Sequence, residues 1–195
     1  MQNICIYCGS SDQMNAEYLQ AASDMGAALV ERGLRLIYGG GGTGMMGALA
    51  DAVLENGGEV IGIIPKMFET PELLHTGLTE LLVVEDINTR KTRMAEMSDA
   101  FVALPGGFGT FDELFEILTW AQIGLHRSPI GILNTLEYFT PLLALIEHAR
   151  QEGFIYNEHI DLLINESDPQ DLLTRMEVFE RPPNLERWVQ RKEDQ

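Results

Sequence analysis

The chain has 195 residues and a formal net charge of −17, with 45% hydrophobic and 22% charged residues. This length and composition are typical of one globular domain with a sizeable core. The acidic charge argues against DNA or RNA as a partner, because a phosphate backbone needs a basic surface, whereas a small phosphate needs only a local basic spot. The first residues resemble no signal peptide, and no apolar run approaches the roughly 20 residues that span a bilayer. We therefore expect a cytoplasmic protein with no nucleic-acid or membrane partner.

Short apolar runs alternate with helical patterns along the chain, which predicts one parallel sheet with helices on both faces and right-handed crossovers. The predicted strands are residues 3–7, 34–38, 59–64, 81–84, 100–104, 129–134 and 162–164. Charge density rises from Glu177 onward, and Pro182-Pro183 breaks regular structure. We predict a single domain over residues 1–180 and a charged tail over residues 181–195, with Trp188 as its candidate anchor.

The first predicted strand is followed by a loop of small residues, 8–12, in which Ser10 is a candidate ligand contact. Turn formation and capping of the next helix are equally good roles for this loop. Cys5 and Cys8 form a C-x-x-C pair, but Cys5 falls inside the strand rather than at a helix N-terminus, where a thiolate would be stabilised. No second pair is present for zinc, and the four histidines lack metal-ligand spacing. We predict no thiol chemistry and no metal site.

The second predicted strand runs into a glycine-rich turn, Gly39 to Gly47, which matches G-x-G-x-x-G in two registers. A dinucleotide site would also need an acidic residue at the end of the next strand, but that strand ends in Pro65-Lys66. A P-loop is likewise absent, because no Gly-Lys-Ser/Thr follows. We interpret the turn as a phosphate cradle, with Gly41, Gly42, Thr43 and Gly44 as candidate contacts.

The chain between Leu36 and His126 contains four basic residues, and three of them, Arg90, Lys91 and Arg93, fall within four positions. They lie on a predicted helix over residues 90–97, in which Arg90 shares a face with Met94. This cluster is either a solvated helix start or the local basic spot for a small anion.

The predicted strand 100–104 stops at Pro105-Gly106-Gly107, and a helical pattern begins near Phe111. Glycines allow a close backbone approach, and the free N–H groups of a helix start favour an anion. Glu113 lies about one turn into this helix, so its carboxylate either stabilises the helix start or is directed at a substrate. Because every glycine-rich turn follows a strand, these turns and Arg90 should meet at one edge of the sheet.

Several segments resemble the LOG ("Lonely Guy") family of cytokinin riboside 5′-monophosphate phosphoribohydrolases. Residues 105–113, PGGFGTFDE, resemble the family's P-G-G-x-G-T-x-x-E motif. Arg90-Lys91-x-x-Met94, the Tyr38–Gly47 segment and Thr119–Gly124 also resemble family signatures, in family order. The resemblance extends to about Ile155 and implies a Rossmann-like fold, a nucleotide-binding catalytic domain and a homodimer, whose contact we place on the helix from Phe111 to Ile123.

The resemblance also implies an activity, the hydrolysis of the N-glycosidic bond of a nucleoside 5′-monophosphate to free base and ribose 5-phosphate. It makes Arg90 and Glu113 the catalytic pair, with Arg90 acting either on the phosphate or on the departing base. The implied substrate- and phosphate-binding residues are Ser10, Gly41, Gly42, Thr43, Gly44, Lys91, Met94, Gly106, Gly107, Gly109 and Thr110. No cofactor is implied.

We expect cytokinin riboside 5′-monophosphate or AMP as the substrate. An AMP nucleosidase without cytokinin preference and a nucleotide-binding protein without turnover are the alternatives.

Overall fold

The computed structural model describes residues 1–185, which form a seven-stranded, all-parallel sheet flanked by helices. The strands are β1 Asn3–Tyr7, β2 Arg35–Tyr38, β3 Val60–Pro65, β4 Glu80–Val84, β5 Ala100–Ala103, β6 Ile130–Leu133 and β7 Leu163–Glu166. The helices are α1 Ala16–Glu31, α2 Gly44–Glu55, α3 Ile87–Glu96, α4 Phe108–Gln122, α5 Thr140–Gln151, α6 Asn157–Ile160 and α7 Pro169–Glu177. The predicted Rossmann-like α/β fold is confirmed.

The strand order, β4-β3-β2-β1-β5-β6-β7, reverses direction between β1 and β5. The chain builds outward from β1 to β4 and then returns to the centre, where β5 pairs with β1 from Ile4↔Ala100 to Tyr7↔Ala103. In parallel sheets of this kind, ligands bind beyond the carboxyl ends of the strands at such a switch point. The loops that follow β1 and β5 therefore border the crevice that the topology creates.

The central strands are covered on both faces, and the alternation of side chains along β1 divides the core into two clusters. Ile4 and Ile6 pack in the cluster formed with α1, α2 and α7. Cys5 and Tyr7 point to the opposite face and pack in the cluster formed with α3 and α4. Burial on both faces explains why the strands read as continuous apolar runs in the sequence.

The predicted helix starts differ from those in the structure. α2 begins at Gly44 instead of Ala48, α3 at Ile87 instead of Arg90, and α4 at Phe108 instead of Phe111. Because glycine disfavours helix interiors, the sequence pattern predicts loops where the structure has the glycine-containing first turns of α2 and α4. The start of α3 is fixed by Asp86, whose Oδ1 accepts hydrogen bonds from the N–H groups of Asn88 and Thr89 at 2.8 and 2.9 Å.

The C-terminal segment is described as far as Leu185, which is 1% exposed in the α3–α4 cluster. The rest of the predicted tail, including Trp188, lies outside the described residues, and the domain boundary at residue 180 stays a prediction. No helix within residues 1–185 has the length and apolarity needed to cross a membrane.

Candidate active site

A cavity of about 420 Å³ lies at the switch point, beyond the carboxyl ends of β1, β2 and β5. Its lining comprises Cys8, Gly9, Ser10, Ser11, Met14, Tyr18, Met45, Met46, Arg90, Pro105, Gly106, Gly107, Gly109, Thr110, Glu113 and Tyr138. Seven of the predicted site residues therefore come together in one place: Ser10, Arg90, Gly106, Gly107, Gly109, Thr110 and Glu113.

The N-terminus of α4 opens onto this cavity. The amides of the first helical turn have no acceptor within the helix, and Gly107, the N-cap residue, has no side chain that could accept from them. An added Cβ at Gly107 or Gly109 would meet no atom within 4 Å, which shows open space beside the backbone at both positions. Gly106 has a different role, because a Cβ there would overlap the Thr110 hydroxyl. This turn is thus built as an accessible anion site at a helix N-terminus.

Glu113 projects from α4 beneath this turn and is only 9% exposed. Burial raises the pKa of its carboxyl to about 7, and the nearby Arg90 guanidinium opposes part of that rise. A carboxyl group with a pKa near 7 is partly protonated and partly ionised at neutral pH. Glu113 therefore has the properties of a proton-transferring or charge-stabilising group rather than those of a solvated helix-start charge.

Arg90 reaches the cavity from α3 on the neighbouring side. Its Nε donates to the carbonyl oxygen of Ile63 at 3.1 Å, and its Nη2 lies 3.7 Å from Glu113 Oε1. Because 3.7 Å exceeds hydrogen-bond distance, the two groups are close but do not hydrogen-bond to each other, so the Nη2 group of Arg90 and Oε1 of Glu113 can both bind a ligand. A Cβ at Gly39 would overlap the Arg90 guanidinium, so the first glycine of the β2 loop makes room for this side chain.

The other glycines of the β2 loop have structural explanations. A Cβ at Gly42 would approach the Leu74 carbonyl oxygen to 2.9 Å, one at Gly47 would approach the Gly42 carbonyl oxygen to 2.5 Å, and one at Gly44 would overlap the Ser11 carbonyl oxygen. Gly41 forms an isolated antiparallel bridge with Leu74. These close approaches require glycine on steric grounds alone.

The four predicted contacts in this loop, Gly41, Gly42, Thr43 and Gly44, do not line the cavity. Thr43 instead donates its hydroxyl to the Ser10 carbonyl oxygen at 2.9 Å. The β2 loop therefore supports the cavity from behind.

Lys91 and Met94, both predicted to bind substrate, also lie outside the cavity lining. The Lys91 ammonium donates to Asp112 Oδ2 at 2.9 Å and to Glu116 Oε1 at 3.0 Å. Met94 is fully buried in the core between α3 and α4. Helical spacing predicts that Met94 shares a face with Arg90 and that Lys91 does not, but it does not predict how deeply either side chain is buried.

Sequence reasoning missed the apolar wall of the cavity, which is formed by Met14, Tyr18, Met45, Met46 and Tyr138. Tyr138 donates its hydroxyl to the Gly106 carbonyl oxygen at 2.5 Å, and its ring meets that of Tyr18 edge to face at 6.0 Å. Methionines at helical spacing are typical of a core, and Tyr138 follows β6, far along the chain. The available signal was the position of Met45 and Met46 within the glycine-rich turn.

The Cys8 thiol also lines the cavity, but burial raises its pKa far above the usual range, so it stays protonated. Among residues 1–185, no three His, Cys, Asp or Glu side chains are grouped so as to hold a metal ion. The chemistry offered by the described site is thus that of one carboxyl group, one guanidinium and a helix N-terminus.

The chain is similar to several characterised proteins. Residues 46–176 match the family model described as "Possible lysine decarboxylase". The cytokinin riboside 5′-monophosphate phosphoribohydrolase of Rhodococcoides fascians is 51% identical over 155 residues, which cover 79% of this chain and 78% of that protein. The enzyme of the same name, LOG3, from Arabidopsis thaliana is 43% identical over 178 residues, 91% of this chain and 83% of that protein.

Solved structures agree with the observed fold. The molybdenum cofactor binding protein from Rippkaea orientalis superposes with a TM-score of 0.69 at 20% identity, covering 90% of this chain and 95% of that one. At this identity the likeness concerns the fold alone. The family model spans most of the chain and the sequence relatives far exceed 30% identity, so the chain belongs to the LOG family, an enzyme family whose named members are cytokinin riboside 5′-monophosphate phosphoribohydrolases.

Proposed function

We propose that this protein hydrolyses the N-glycosidic bond of a cytokinin riboside 5′-monophosphate and releases the free base and ribose 5-phosphate. The observation that carries the proposal is the pairing of Arg90 with a buried Glu113, 3.7 Å apart, in a cavity that the N-terminus of α4 also faces. Membership of the LOG family supports the same reaction.

The phosphate is assigned to the α4 N-terminus. The first-turn amides and the positive end of the helix dipole favour a dianion there. The open space beside Gly107 and Gly109 lets phosphate oxygens approach the backbone. Ser10 and Thr110 add hydroxyl groups on the same side of the cavity.

The reaction follows from the properties of Glu113. Cleavage of the C1′–N bond leaves positive charge on the sugar, and the electron pair departs with the base. An ionised carboxylate near C1′ stabilises that charge and deprotonates the attacking water, whose oxygen forms the new bond to C1′. The Glu113 carboxyl then passes this proton to the departing base, which leaves neutral while the carboxylate is restored. Arg90 keeps its guanidinium close to this carboxylate and offers its remaining N–H groups to the phosphate or to the departing base.

The base is assigned to the apolar wall of Met14, Tyr18, Met45, Met46 and Tyr138. Methionine side chains are flexible and polarisable, and they adapt to irregular apolar groups. A wall of this kind accepts adenine that carries an N6 substituent. We therefore expect the cytokinin nucleotide to be a better substrate than AMP.

The first test is direct. The pure protein should release free base from isopentenyladenosine 5′-monophosphate and, more slowly, from AMP, as measured by chromatography. Glu113→Gln keeps the shape of the side chain but removes its charge, so we expect a loss of at least about 100-fold in kcat. Absence of base from both substrates would favour a binding protein without turnover, and full activity of Glu113→Gln would refute the assigned chemistry.

The pKa of Glu113 gives a second prediction. Because the ionised form is needed, kcat/KM should rise with pH through an apparent pKa near 7, the value that burial imposes on the free protein. A folded-state pKa above 4.5, the usual value of a solvated glutamate, means that the folded chain binds more protons than the unfolded chain between these two pH values. The free energy of unfolding should therefore fall as pH rises from about 4.5 to 7, and this component should be missing in Glu113→Gln when both are unfolded in urea.

The phosphate assignment gives a third prediction, at Gly109. Alanine fits there because no atom lies within 4 Å of an added Cβ, and it should raise the free energy of unfolding by up to about 1 kcal/mol, since glycine disfavours helices. The same methyl group would occupy the approach of the phosphate, so KM should rise about tenfold or more. A variant that is more stable yet equally active would place the phosphate elsewhere.

We also propose that the protein acts as a homodimer through the outer face of α4 and the loop that follows it. Apolar side chains are exposed along this surface, at Phe108 (92%), Phe115 (43%), Ile123 (42%) and Leu125 (67%). Sedimentation of the pure protein should give the mass of a dimer, and Phe115→Glu should lower it to that of a monomer. A matched change on α5, Leu145→Glu, should leave the mass unchanged, and a monomeric parent protein would contradict the proposal.

A further inference from the structure

Lys91 is the neighbour of the catalytic arginine, but its side chain turns away from the cavity. Its ammonium lies between two carboxylates of α4, 2.9 Å from Asp112 Oδ2 and 3.0 Å from Glu116 Oε1. The Lys91 side chain is only 11% exposed, although lysine is usually solvated. A partly buried lysine with two carboxylate partners differs from the exposed surface ion pairs that contribute little to stability.

The two partners of Lys91 flank Glu113 in the sequence of α4. Asp112 and Glu116 are four residues apart, so they share one side of the helix and repel each other when both are ionised. Glu113 lies between them along the chain, which places three carboxylates within five positions. Without a cation, each negative charge would oppose ionisation of the others.

We propose that Lys91 is a positioning residue for Glu113: it joins α3, which carries Arg90, to α4, and it offsets part of the charge of the two carboxylates that flank Glu113. This inference rests on the proposed function for its meaning in catalysis. The geometry does not depend on the proposed function, because the Lys91 ammonium connects α3 and α4 whatever reaction the protein catalyses.

The groups on every side of Glu113 are consistent with this role. Cys5 and Tyr7 come from β1 and Cys8 directly follows it, and burial raises the pKa of each far above its usual range, so these three are neutral at working pH. Among residues 1–185, the charges that act on Glu113 are those of Arg90 and Lys91 on α3 and of Asp112 and Glu116 on α4.

Those charges act in opposite directions on Glu113. Arg90 and Lys91 on α3 lower its pKa, whereas Asp112 and Glu116 on α4 raise it. Burial gives the largest effect and raises the pKa. Removal of Lys91 would leave the two flanking carboxylates uncompensated beside a group that burial already disfavours in its ionised form.

Two variants test the inference because they should shift the pH profile in opposite directions. In Lys91→Met the pH at which kcat/KM rises should move upward by about one unit, since an attractive charge is lost and two repulsive ones remain. In Asp112→Asn combined with Glu116→Gln it should move downward, since the repulsion is lost while Lys91 is kept. A purely structural contact would lower stability in both and shift neither profile.

The matched control is Lys66→Met, which breaks the exposed 2.6 Å ion pair between Lys66 and Glu85, two residues that do not line the cavity. Its pH profile should coincide with that of the parent protein. Lys91→Arg should keep most of the parent profile, because it preserves the charge.

A second measurement requires no turnover. The difference in unfolding free energy between each protein and the same protein carrying Glu113→Gln isolates the titration of Glu113. The pH at which this difference changes should move up in Lys91→Met and down in the double variant. If the unmodified protein releases no base, the proposed reaction is refuted. The shift in the titration of the unfolding free energy still decides the role of Lys91 in that case. Unshifted curves in both variants, or shifts in the same direction, overturn the inference.

Discussion

The buried carboxyl of Glu113 is the constraint around which the site is built. A charge removed from water is stable only where a partner compensates it, and Arg90 provides that partner at 3.7 Å. The position of Arg90 depends in turn on the carbonyl oxygen of Ile63 at the end of β3 and on the absence of a side chain at Gly39. The proposed catalytic carboxyl therefore depends on contributions from α4, α3, β3 and the β2 loop, which only the complete sheet brings together.

Backbone hydrogen bonds also connect the three segments that meet at the switch point. The Gly9 N–H donates to the Pro105 carbonyl oxygen at 3.0 Å, and the Met46 N–H donates to the Gly9 carbonyl oxygen at 3.3 Å. These backbone bonds join the loops after β1, β2 and β5. The close contact between Gly106 and the Thr110 side chain leaves little freedom in the last of them. The rigid scaffold favours a preorganised site, which is the condition under which electrostatic stabilisation of a transition state is effective.

The fold could be predicted from the sequence because it rests on local signals, whereas the pairing of Arg90 with Glu113 was implied by the family resemblance and stays a prediction as a catalytic pair. Apolar runs predicted all seven strands, and the strand-turn-helix around Pro105 predicted an anion site at the α4 N-terminus. The β2 loop was interpreted as a phosphate cradle, since a run of glycines indicates close backbone approach without saying what approaches. In the structure the approaching groups are Arg90 and neighbouring carbonyl oxygens. Met14, Tyr18 and Tyr138 gave no such signal, because their role depends on contacts between segments distant in sequence.

The division of the cavity between the two faces of the sheet has a consequence for how substrate range can change. The proposed catalytic pair comes from α3 and α4. Four of the five residues of the apolar wall belong instead to the segments around α1 and α2, namely Met14, Tyr18, Met45 and Met46. The two helix pairs pack in separate core clusters on opposite sides of the sheet. Substitutions at the wall residues of α1 and α2 therefore leave the α3–α4 packing beneath Glu113 in place, whereas Met46 also borders the space beside Gly39 that the Arg90 guanidinium occupies. Under the proposed function, a scaffold of this design can acquire new base specificities while Glu113 keeps its surroundings.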